Sequence, residues 1–294
     1  MSPLPACIRK GATAVITGGA SGIGFAAARR FASEGMNVVL ADLDTELLTS
    51  AGEALKKEGA KVKIVPTDVS KLSDVENLKK TAYDTFGAVH ILMNNAGTGH
   101  GGPIINGDPD AWTKLIHTNL FGVVYGSQVF APVMIAQGEP CAIINTGSKQ
   151  GITCPPGNAA YNVSKAGVKV ATEALAHELR NTENCKVSAH LLVPGYTYTG
   201  MTAGASGKGN QQPLENKPAA AWTADQVVDY LFQKMLDGKF YVICPDNDVS
   251  EDLDKARMAW SAADPVEGRP ALSRWHPDYK DEFEGFIAER VGKK

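Results

Sequence analysis

The chain has 294 residues, of which 44% are hydrophobic and 21% charged, a composition that suits one large globular domain with a full core. Its formal net charge of −3 gives no reason to expect nucleic acid or an anionic membrane surface as a partner. Apolar runs stay well below the ~18 residues of a membrane span, and residues 1–10 lack the apolar core of a secretory signal. We therefore expect a cytoplasmic protein that binds neither nucleic acid nor membrane.

The cysteines are odd in number, scattered and without C-x-x-C spacing. A disulfide framework or a zinc site would need closer clustering. We therefore expect reduced thiols and no metal site. The cysteines are Cys7, Cys141, Cys154, Cys185 and Cys244.

Short β-branched runs alternate with longer amphipathic stretches, which is the pattern of a parallel sheet with crossover helices. The predicted strands are 12–17, 37–41, 61–65, 89–93, 142–146, 186–193 and 240–243. The predicted helices between them are 22–34, 44–58, 72–86, 111–136, 159–179 and 224–236. All strands are apolar on both faces, as expected when helices cover both sides of a sheet. The sequence therefore predicts an α/β fold with a Rossmann-like, doubly wound, seven-stranded parallel sheet.

The C-terminal residues fall outside this alternation. Helices are predicted at 252–263 and 277–291, joined by turns at 264–265 and 268–270. Neither helix could bury a core alone, so we expect a helical extension, 248–294, packed on a single domain, 1–247. Its aromatic residues are predicted to serve packing or subunit contacts rather than a pocket floor. They are Trp260, Trp275, His276 and Tyr279.

A glycine-rich loop, 196–221, precedes the last predicted helix of the domain. Gly204, Gly207 and Gly209 would let it act as a lid that orders when a ligand binds. A loop that is merely disordered is an equally good interpretation.

The first predicted strand leads into Thr17-Gly18-Gly19-Ala20-Ser21-Gly22-Ile23-Gly24, and then directly into a helix. Glycine lets the backbone approach a pyrophosphate closely, and a helix N-terminus supplies free N–H groups and a positive dipole end. The spacing differs from the usual dinucleotide G-x-G-x-x-G, but the position between strand and helix favours a phosphate site over a structural turn. The candidate cofactor-binding residues here are Gly18, Ser21, Gly22, Ile23 and Gly24.

Asp42 ends the second predicted strand, followed by Leu43, which we assign to the same site. A carboxylate there accepts hydrogen bonds from the adenosine ribose hydroxyls and repels a 2′-phosphate. Neither Arg nor Lys stands in the glycine turn or just after Asp42, so the sequence favours NAD(H) over NADP(H). After the third strand, Asp68, followed by Val69, would contact the adenine edge or merely cap the next loop.

Tyr161 and Lys165 lie four residues apart, on one face of a predicted helix. A free tyrosine has a pKa near ~10, and a nearby lysine ammonium together with the positive nicotinamide ring of NAD⁺ favours the phenolate and lowers that pKa. The pair would then supply a general acid/base. In isolation, however, Tyr-x-x-x-Lys is common on helix surfaces.

The pair is not isolated, because four further motifs stand in order along the chain: the glycine turn, Asn94-Asn95-Ala96-Gly97, Asn119 with Ser148, and Pro194-Gly195. With these motifs the chain resembles the classical short-chain dehydrogenase/reductase family over about residues 10–245. The resemblance implies that Tyr161 is the general acid/base and that Ser148 hydrogen-bonds the substrate oxygen. It also implies that Lys165 holds the nicotinamide ribose and that Asn119 anchors a water for proton relay.

The resemblance further implies cofactor contacts on both sides of the catalytic residues, at Asn95, Ala96, Gly97, Pro194, Gly195, Thr197 and Thr199. Asn94 would instead tie neighbouring strands together. The family usually has Val where Thr197 stands, which puts the local loop geometry in question. Members usually form dimers or tetramers, so a homodimer or homotetramer through helices 111–136 and 159–179 is expected.

The function predicted from these residues is an NAD(H)-dependent oxidoreductase that interconverts a secondary alcohol and a ketone by hydride transfer. The small-molecule substrate would contact Ser148, Gln150, Ile152, Tyr161 and Tyr196. One alternative is a reductase of carrier-bound ketoacyl chains, which would prefer NADPH and a basic docking patch. Another is a cofactor-sensing or scaffolding protein on the same fold, which would have no use for both Tyr161 and Lys165.

Overall fold

The computed structural model describes residues 5–99, 101–202 and 214–291. The strands are β1 (Thr13–Thr17), β2 (Asn37–Asp42), β3 (Val62–Pro66), β4 (Ile91–Asn94), β5 (Cys141–Thr146), β6 (Val187–Val193), β7 (Thr197–Tyr198), β8 (Trp222–Thr223) and β9 (Tyr241–Ile243). The helices are α1 (Gly22–Ser33), α2 (Thr45–Lys57), α3 (Leu72–Phe86), α4 (Pro109–Ile116), α5 (Gly122–Ala136), α6 (Gln150–Thr153), α7 (Ala159–Asn181), α8 (Ala224–Leu236), α9 (Glu251–Glu267) and α10 (Lys280–Val291).

Seven strands form one parallel sheet in the order β3-β2-β1-β4-β5-β6-β9. The predicted doubly wound, seven-stranded sheet is therefore confirmed. The chain order reverses between β1 and β4, and such a switch point leaves a crevice at the carboxyl ends of the strands. The short strands β7 and β8 pair separately, at the ends of the 196–221 loop.

Alternate residues of each strand enter two hydrophobic cores, one on each face of the sheet. In β1, Ile16 packs in the core that contains Phe31 of α1 and Phe232 of α8. Its neighbour Val15 packs in the core that contains Leu78 of α3 and Phe130 of α5. Helices therefore cover both faces, which is why the strand sequences are apolar throughout.

The helix predicted at 111–136 begins at Pro109 and contains a π turn at His117–Phe121, between α4 and α5. By length and composition this helix could cross a membrane, since its most apolar window has a mean hydropathy of 1.4. The helix packs instead on β4, β5 and α7, as a sheet-covering helix does.

The helix predicted at 252–263 continues to Glu267, so the turn predicted at 264–265 is wrong. Pro265 lies within the last turn of α9, where it removes one backbone N–H donor from the helix, and Gly268 ends the helix with a φ of +67°. Asp264 holds the following chain because it accepts hydrogen bonds from Ser273 and Arg269.

Trp260 of α9 is the centre of the extension and is 1% exposed. Its Nε1 donates to Ser273 Oγ at 2.7 Å, and the rings of Phe283 and Phe286 lie 5.4 and 5.1 Å away. The predicted packing role is thus confirmed for Trp260. The domain boundary at 247 stays a prediction, and Gly204, Gly207 and Gly209 of the predicted lid lie outside the described residues.

Replacing Trp260 by alanine should lower the free energy of unfolding by about 3–5 kcal/mol. The substitution leaves a cavity in the core of the extension, and the few side chains around it cannot close that cavity. Trp275→Ala, at a ring that is 37% exposed, is the matched control and should cost much less. Urea unfolding followed by circular dichroism measures both. Equal losses would contradict the central role of Trp260.

Candidate active site

A groove of about 1270 Å³ opens at the carboxyl ends of the strands, where the sheet order reverses. Most of the predicted site residues line it. They are Gly18, Ser21, Gly22, Ile23, Asp42, Leu43, Asp68, Val69, Asn95, Ala96, Gly97, Ser148, Gln150, Tyr161, Lys165, Pro194, Gly195, Tyr196, Thr197 and Thr199. Three predicted residues, Gly24, Asn119 and Ile152, lie behind this lining.

The glycine turn passes against the segment that follows β4. Gly18 has a φ of +63°, and a Cβ there would lie 2.8 Å from Ala96 Cα. A Cβ on Gly24 would lie 2.1 Å from the Gly18 carbonyl oxygen. Gly24 therefore supports the turn from beneath, and the start of α1 faces the groove at Gly22.

Asn95 fastens the two segments together. Its Nδ2 donates to the carbonyl oxygens of Thr17 and Gly18 at 3.2 and 3.3 Å, and its Oδ1 accepts from Thr146 Oγ1 at 3.3 Å. The side-chain amide thus builds the groove wall. Asn94 donates to Asn145 Oδ1 at 2.9 Å and ties β4 to β5, as predicted.

Asp42 stands at the groove with a fixed carboxylate. Its Oδ2 accepts from the backbone N–H of Ala20 at 3.1 Å, and its Oδ1 accepts from the N–H of Asp44 at 3.1 Å. The first bond joins the end of β2 to the glycine turn. Asp42 is therefore not a free solvated carboxylate, and Leu43 beside it is exposed.

Asp68 has the contacts of a loop cap. Its Oδ1 accepts from the N–H and hydroxyl of Ser70 at 3.1 and 2.6 Å, and its Oδ2 pairs with Lys71 Nζ at 3.3 Å. Burial alone would raise the pKa of Asp68, but the bonds from Ser70 and Lys71 outweigh it and hold that pKa below its ordinary value. The carboxylate still lines the groove, beside the buried Val69.

Tyr161 and Ser148 meet in the groove. Burial raises the pKa of Tyr161, and a hydrogen bond from Ser148 partly opposes that rise. The Ser148 oxygen in turn accepts from the N–H of Gln150 at 3.2 Å, at the start of α6. A hydroxyl and a phenol are thus held together, as the motif predicts.

Lys165 is almost completely buried, one turn after Tyr161 on α7. Its Nζ donates to the Thr146 carbonyl at 2.8 Å and lies 5.8 Å from the centre of the Tyr161 ring. Burial lowers the pKa of Lys165 to about 8. In the protein alone the pKa of Tyr161 is raised and that of Lys165 is lowered, because burial disfavours the charged form of both groups, and the lowering predicted with NAD⁺ beside the phenol stays a prediction.

Asn119 lies in the π turn and is fully buried. Its Oδ1 accepts from Thr98 N at 2.7 Å, and its Nδ2 donates to Thr98 O at 2.8 Å and to Ser164 Oγ at 3.2 Å. Gly97 passes between this amide and Lys165, since a Cβ there would lie 3.2 Å from Asn119 Oδ1 and 3.7 Å from Lys165 Nζ. Asn119 therefore supports the floor beneath Lys165.

The segment after β6 closes the other wall. Thr197, where the family usually has Val, is buried and donates to the Gly195 carbonyl at 3.1 Å, a bond that Val cannot make. Thr202 Oγ1 donates to the Thr197 carbonyl at 2.7 Å and accepts from Thr199 N at 2.9 Å. Hydroxyl groups thus brace this loop.

The structure also corrects one substrate candidate and adds new groove residues. Ile152 packs with Val123, Val168, Leu191 and Val193, because α6 turns that face inward. The lining residues that the motifs did not reveal are Thr67, Thr98, Gly99, Ala111, Lys114, Leu115, Thr118, Thr146, Gly147, Lys149, Gly200, Met201 and Thr202. The only feature of the sequence that could have indicated these residues is that most of them stand next to a motif residue.

Within the part of the chain that the structure describes, no group of three His, Cys, Asp or Glu side chains could hold a metal ion. The cysteines are free thiols, and Cys7, Cys141 and Cys244 are buried.

A family model described as short chain dehydrogenase matches residues 12–209. The chain is 37% identical to 3beta-hydroxysteroid dehydrogenase 2 of Eggerthella lenta over 214 residues, which cover 72% of this chain and 79% of that one. A short chain dehydrogenase/reductase of Burkholderia phymatum, solved in complex with NAD, is 33% identical with a TM-score of 0.79, and 90% and 97% of the two chains are covered. A metagenomic short-chain oxidoreductase in complex with NADP is 28% identical, with a TM-score of 0.65 over 81% of this chain and 98% of that one.

The buried Lys165 should leave a signature in the pH dependence of stability. Its pKa is about 8 in the folded protein against an ordinary 10.5, so between these values the unfolded chain binds more protons. The contribution of Lys165 to the free energy of unfolding is therefore least favourable below pH 8 and improves as pH rises to 10.5. Urea unfolding of the wild type and Lys165→Met should show a difference that shifts in favour of the wild type across this window. A constant difference would contradict the lowered pKa.

Proposed function

The chain belongs to the short-chain dehydrogenase family, and on that premise we propose that it is an NAD(H)-dependent oxidoreductase that interconverts a secondary alcohol and a ketone. One observation carries the proposal. Ser148, Tyr161 and Lys165 meet in a groove that also contains the glycine turn and Asp42. The residues proposed to bind the phosphates and the proposed general acid/base thus line one cavity.

The groove fits a nicotinamide dinucleotide. The turn after β1 has no room for a side chain at Gly18, and the free N–H groups at the start of α1 would bind the pyrophosphate. The Asp42 carboxylate would accept hydrogen bonds from the adenosine ribose hydroxyls, and it opposes a 2′-phosphate. When bound, the nicotinamide ring accepts or gives the hydride. NAD(H) is therefore proposed over NADP(H), although solved relatives carry either cofactor.

Tyr161 is proposed to hold the proton that the substrate oxygen gains or loses. Its raised pKa keeps the phenol protonated at neutral pH, which suits proton donation to a ketone oxygen. In alcohol oxidation the phenol must give up its proton first, and a charged Lys165 at 5.8 Å from the ring would favour that step. Ser148 would hydrogen-bond the substrate oxygen and stabilise the developing alkoxide.

Asn119 is proposed to support proton exchange through the floor of the groove. Its side-chain amide is engaged with Thr98 and Ser164, so a relay water would bind to the backbone of the π turn rather than to that amide. A π turn widens the helical hydrogen-bond pattern and is frequent at functional sites. The amide itself fixes the position of that backbone below Lys165.

The substrate is proposed to be a small secondary alcohol or its ketone, held beside Gln150 and Tyr196. The relative from Eggerthella lenta is named for a hydroxysteroid, which is an apolar secondary alcohol. A carrier-bound ketoacyl substrate is less well supported, because such reductases would prefer NADPH and Asp42 opposes it. A scaffolding protein would not need Tyr161 and Lys165 buried together.

We propose a cytoplasmic homodimer or homotetramer. Phe121, Val163 and Val170 are exposed apolar residues on the two helices that the family resemblance assigns to subunit contacts. A second copy would remove their side chains from water.

Tyr161→Phe should lower kcat by about 10²–10⁴-fold, because it removes the general acid/base. Binding of NADH, measured by fluorescence titration, should hold because the glycine turn and Asp42 are intact. Tyr279→Phe, in the extension, is the control and should keep the wild-type kcat and the wild-type affinity for NADH. Turnover above about a tenth of the wild-type rate would contradict the assignment.

Asp42→Asn should narrow the preference for NAD⁺ over NADP⁺ by about ten-fold or more in kcat/KM, since it removes the charge that repels a 2′-phosphate. The asparagine retains an oxygen to accept from Ala20 N–H, so the turn should hold. Glu46→Gln, an exposed carboxylate at the start of α2, is the charge-matched control. An unchanged cofactor ratio would argue against NAD(H) selection by Asp42.

A further inference from the structure

Lys149, the residue after Ser148, lies between two buried carboxylates. Its Nζ is 3.2 Å from Asp246 Oδ2 and 2.5 Å from Asp254 Oδ2, and the three side chains are 16%, 7% and 5% exposed. The contact with Asp246 is a hydrogen bond as well as an ion pair. We call these three residues the Lys149 cluster.

The Lys149 cluster joins three segments to the groove wall on which Lys149 lies. Asp246 follows β9, and its Oδ2 also accepts from the N–H of Tyr196 at 3.2 Å, in the segment after β6. Asp254 belongs to α9 of the C-terminal extension. Gly195 makes room for the cluster, since a Cβ there would lie 2.8 Å from Lys149 Nζ and 2.9 Å from Asp246 Oδ2.

The backbone of Lys149 is coupled to the catalytic residues on either side. Its carbonyl accepts from the N–H groups of Ile152 and Thr153, both at 3.0 Å, and so starts α6. A Cβ on Gly151 would lie 2.4 Å from the carbonyl carbon of Lys165, so α6 is pressed against α7. A displacement of Lys149 would therefore move Ser148 relative to Lys165 and Tyr161.

Buried ion pairs give little net stability, because the desolvation of each charge offsets the attraction. Two carboxylates share one ammonium here, and the charges of Arg257 and Arg274 also act on Asp254. Burial raises the pKa of Asp254, and the bond from Lys149 opposes that rise. Such an arrangement is better explained by the geometry that it fixes than by stability.

We propose that Lys149 is a positioning residue of the active site, and that Asp254 of the extension and Asp246 hold it so that Ser148 and the 195–196 backbone keep their places. The C-terminal extension is then a working part of the catalytic centre. The effect of the cluster on turnover rests on the proposed function. Its effect on how firmly residues 150–154 are held does not depend on that function.

The decisive variant is Asp254→Asn, which keeps the side-chain shape and removes the charge that holds Lys149. We expect kcat for alcohol oxidation to fall by about ten-fold or more, because small misplacements of catalytic groups are costly. KM for NAD⁺ should stay within about two-fold, since the glycine turn and Asp42 are untouched. Lys255→Met, at the next residue of α9 and 56% exposed, is the matched control and should keep both constants. A kcat within about two-fold of the wild type would overturn the proposal.

Hydrogen exchange provides a readout that does not need turnover. In Asp254→Asn the amides of residues 150–154 and of Tyr196 should exchange faster than in the wild type and in Lys255→Met. Unchanged exchange in both segments would overturn the positioning role. If the wild type oxidises none of a panel of secondary alcohols, the proposed function fails, and the exchange result still decides this inference.

Lys149→Met alone would leave two buried carboxylates facing each other and would endanger folding. The double variant Lys149→Met with Asp254→Leu removes one of them and should recover part of the lost Tm. We expect its kcat to stay as low as that of Asp254→Asn. Recovery of kcat together with Tm would mean that the cluster serves folding only, and would overturn the proposal.

Discussion

The site depends on how closely two loops approach at the switch point of the sheet. The turn after β1 passes against the segment after β4, where a Cβ on Gly18 would lie 2.8 Å from Ala96 Cα. The Asn95 amide holds the two together through the carbonyls of Thr17 and Gly18. This contact leaves the start of α1 open to the groove, and Asp42 is bonded to the same turn at Ala20.

Burial sets the pKa values of Tyr161 and Lys165 in the groove. It raises the pKa of Tyr161 and lowers that of Lys165, so each group is closer to neutral than in water. The floor that buries them is built by Asn119, Gly97 and Thr146, none of which changes charge.

Tertiary contacts connect the C-terminal extension to the groove. Trp260 gives it a small core, and Asp254 connects that core to Lys149, the residue after Ser148. The connection spans more than a hundred residues of sequence, from α6 to α9.

The sequence by itself determined the order of strands and helices, the phosphate turn, Asp42 and the pair Tyr161–Lys165, since these are local patterns with a fixed spacing. The tertiary structure decided what has no local pattern: that Ile152 faces the core and that the pKa of Tyr161 is raised. It also brought Lys149 to Asp254. Burial and long-range charge pairing depend on every element packed around a group, so they become visible only when the chain is folded.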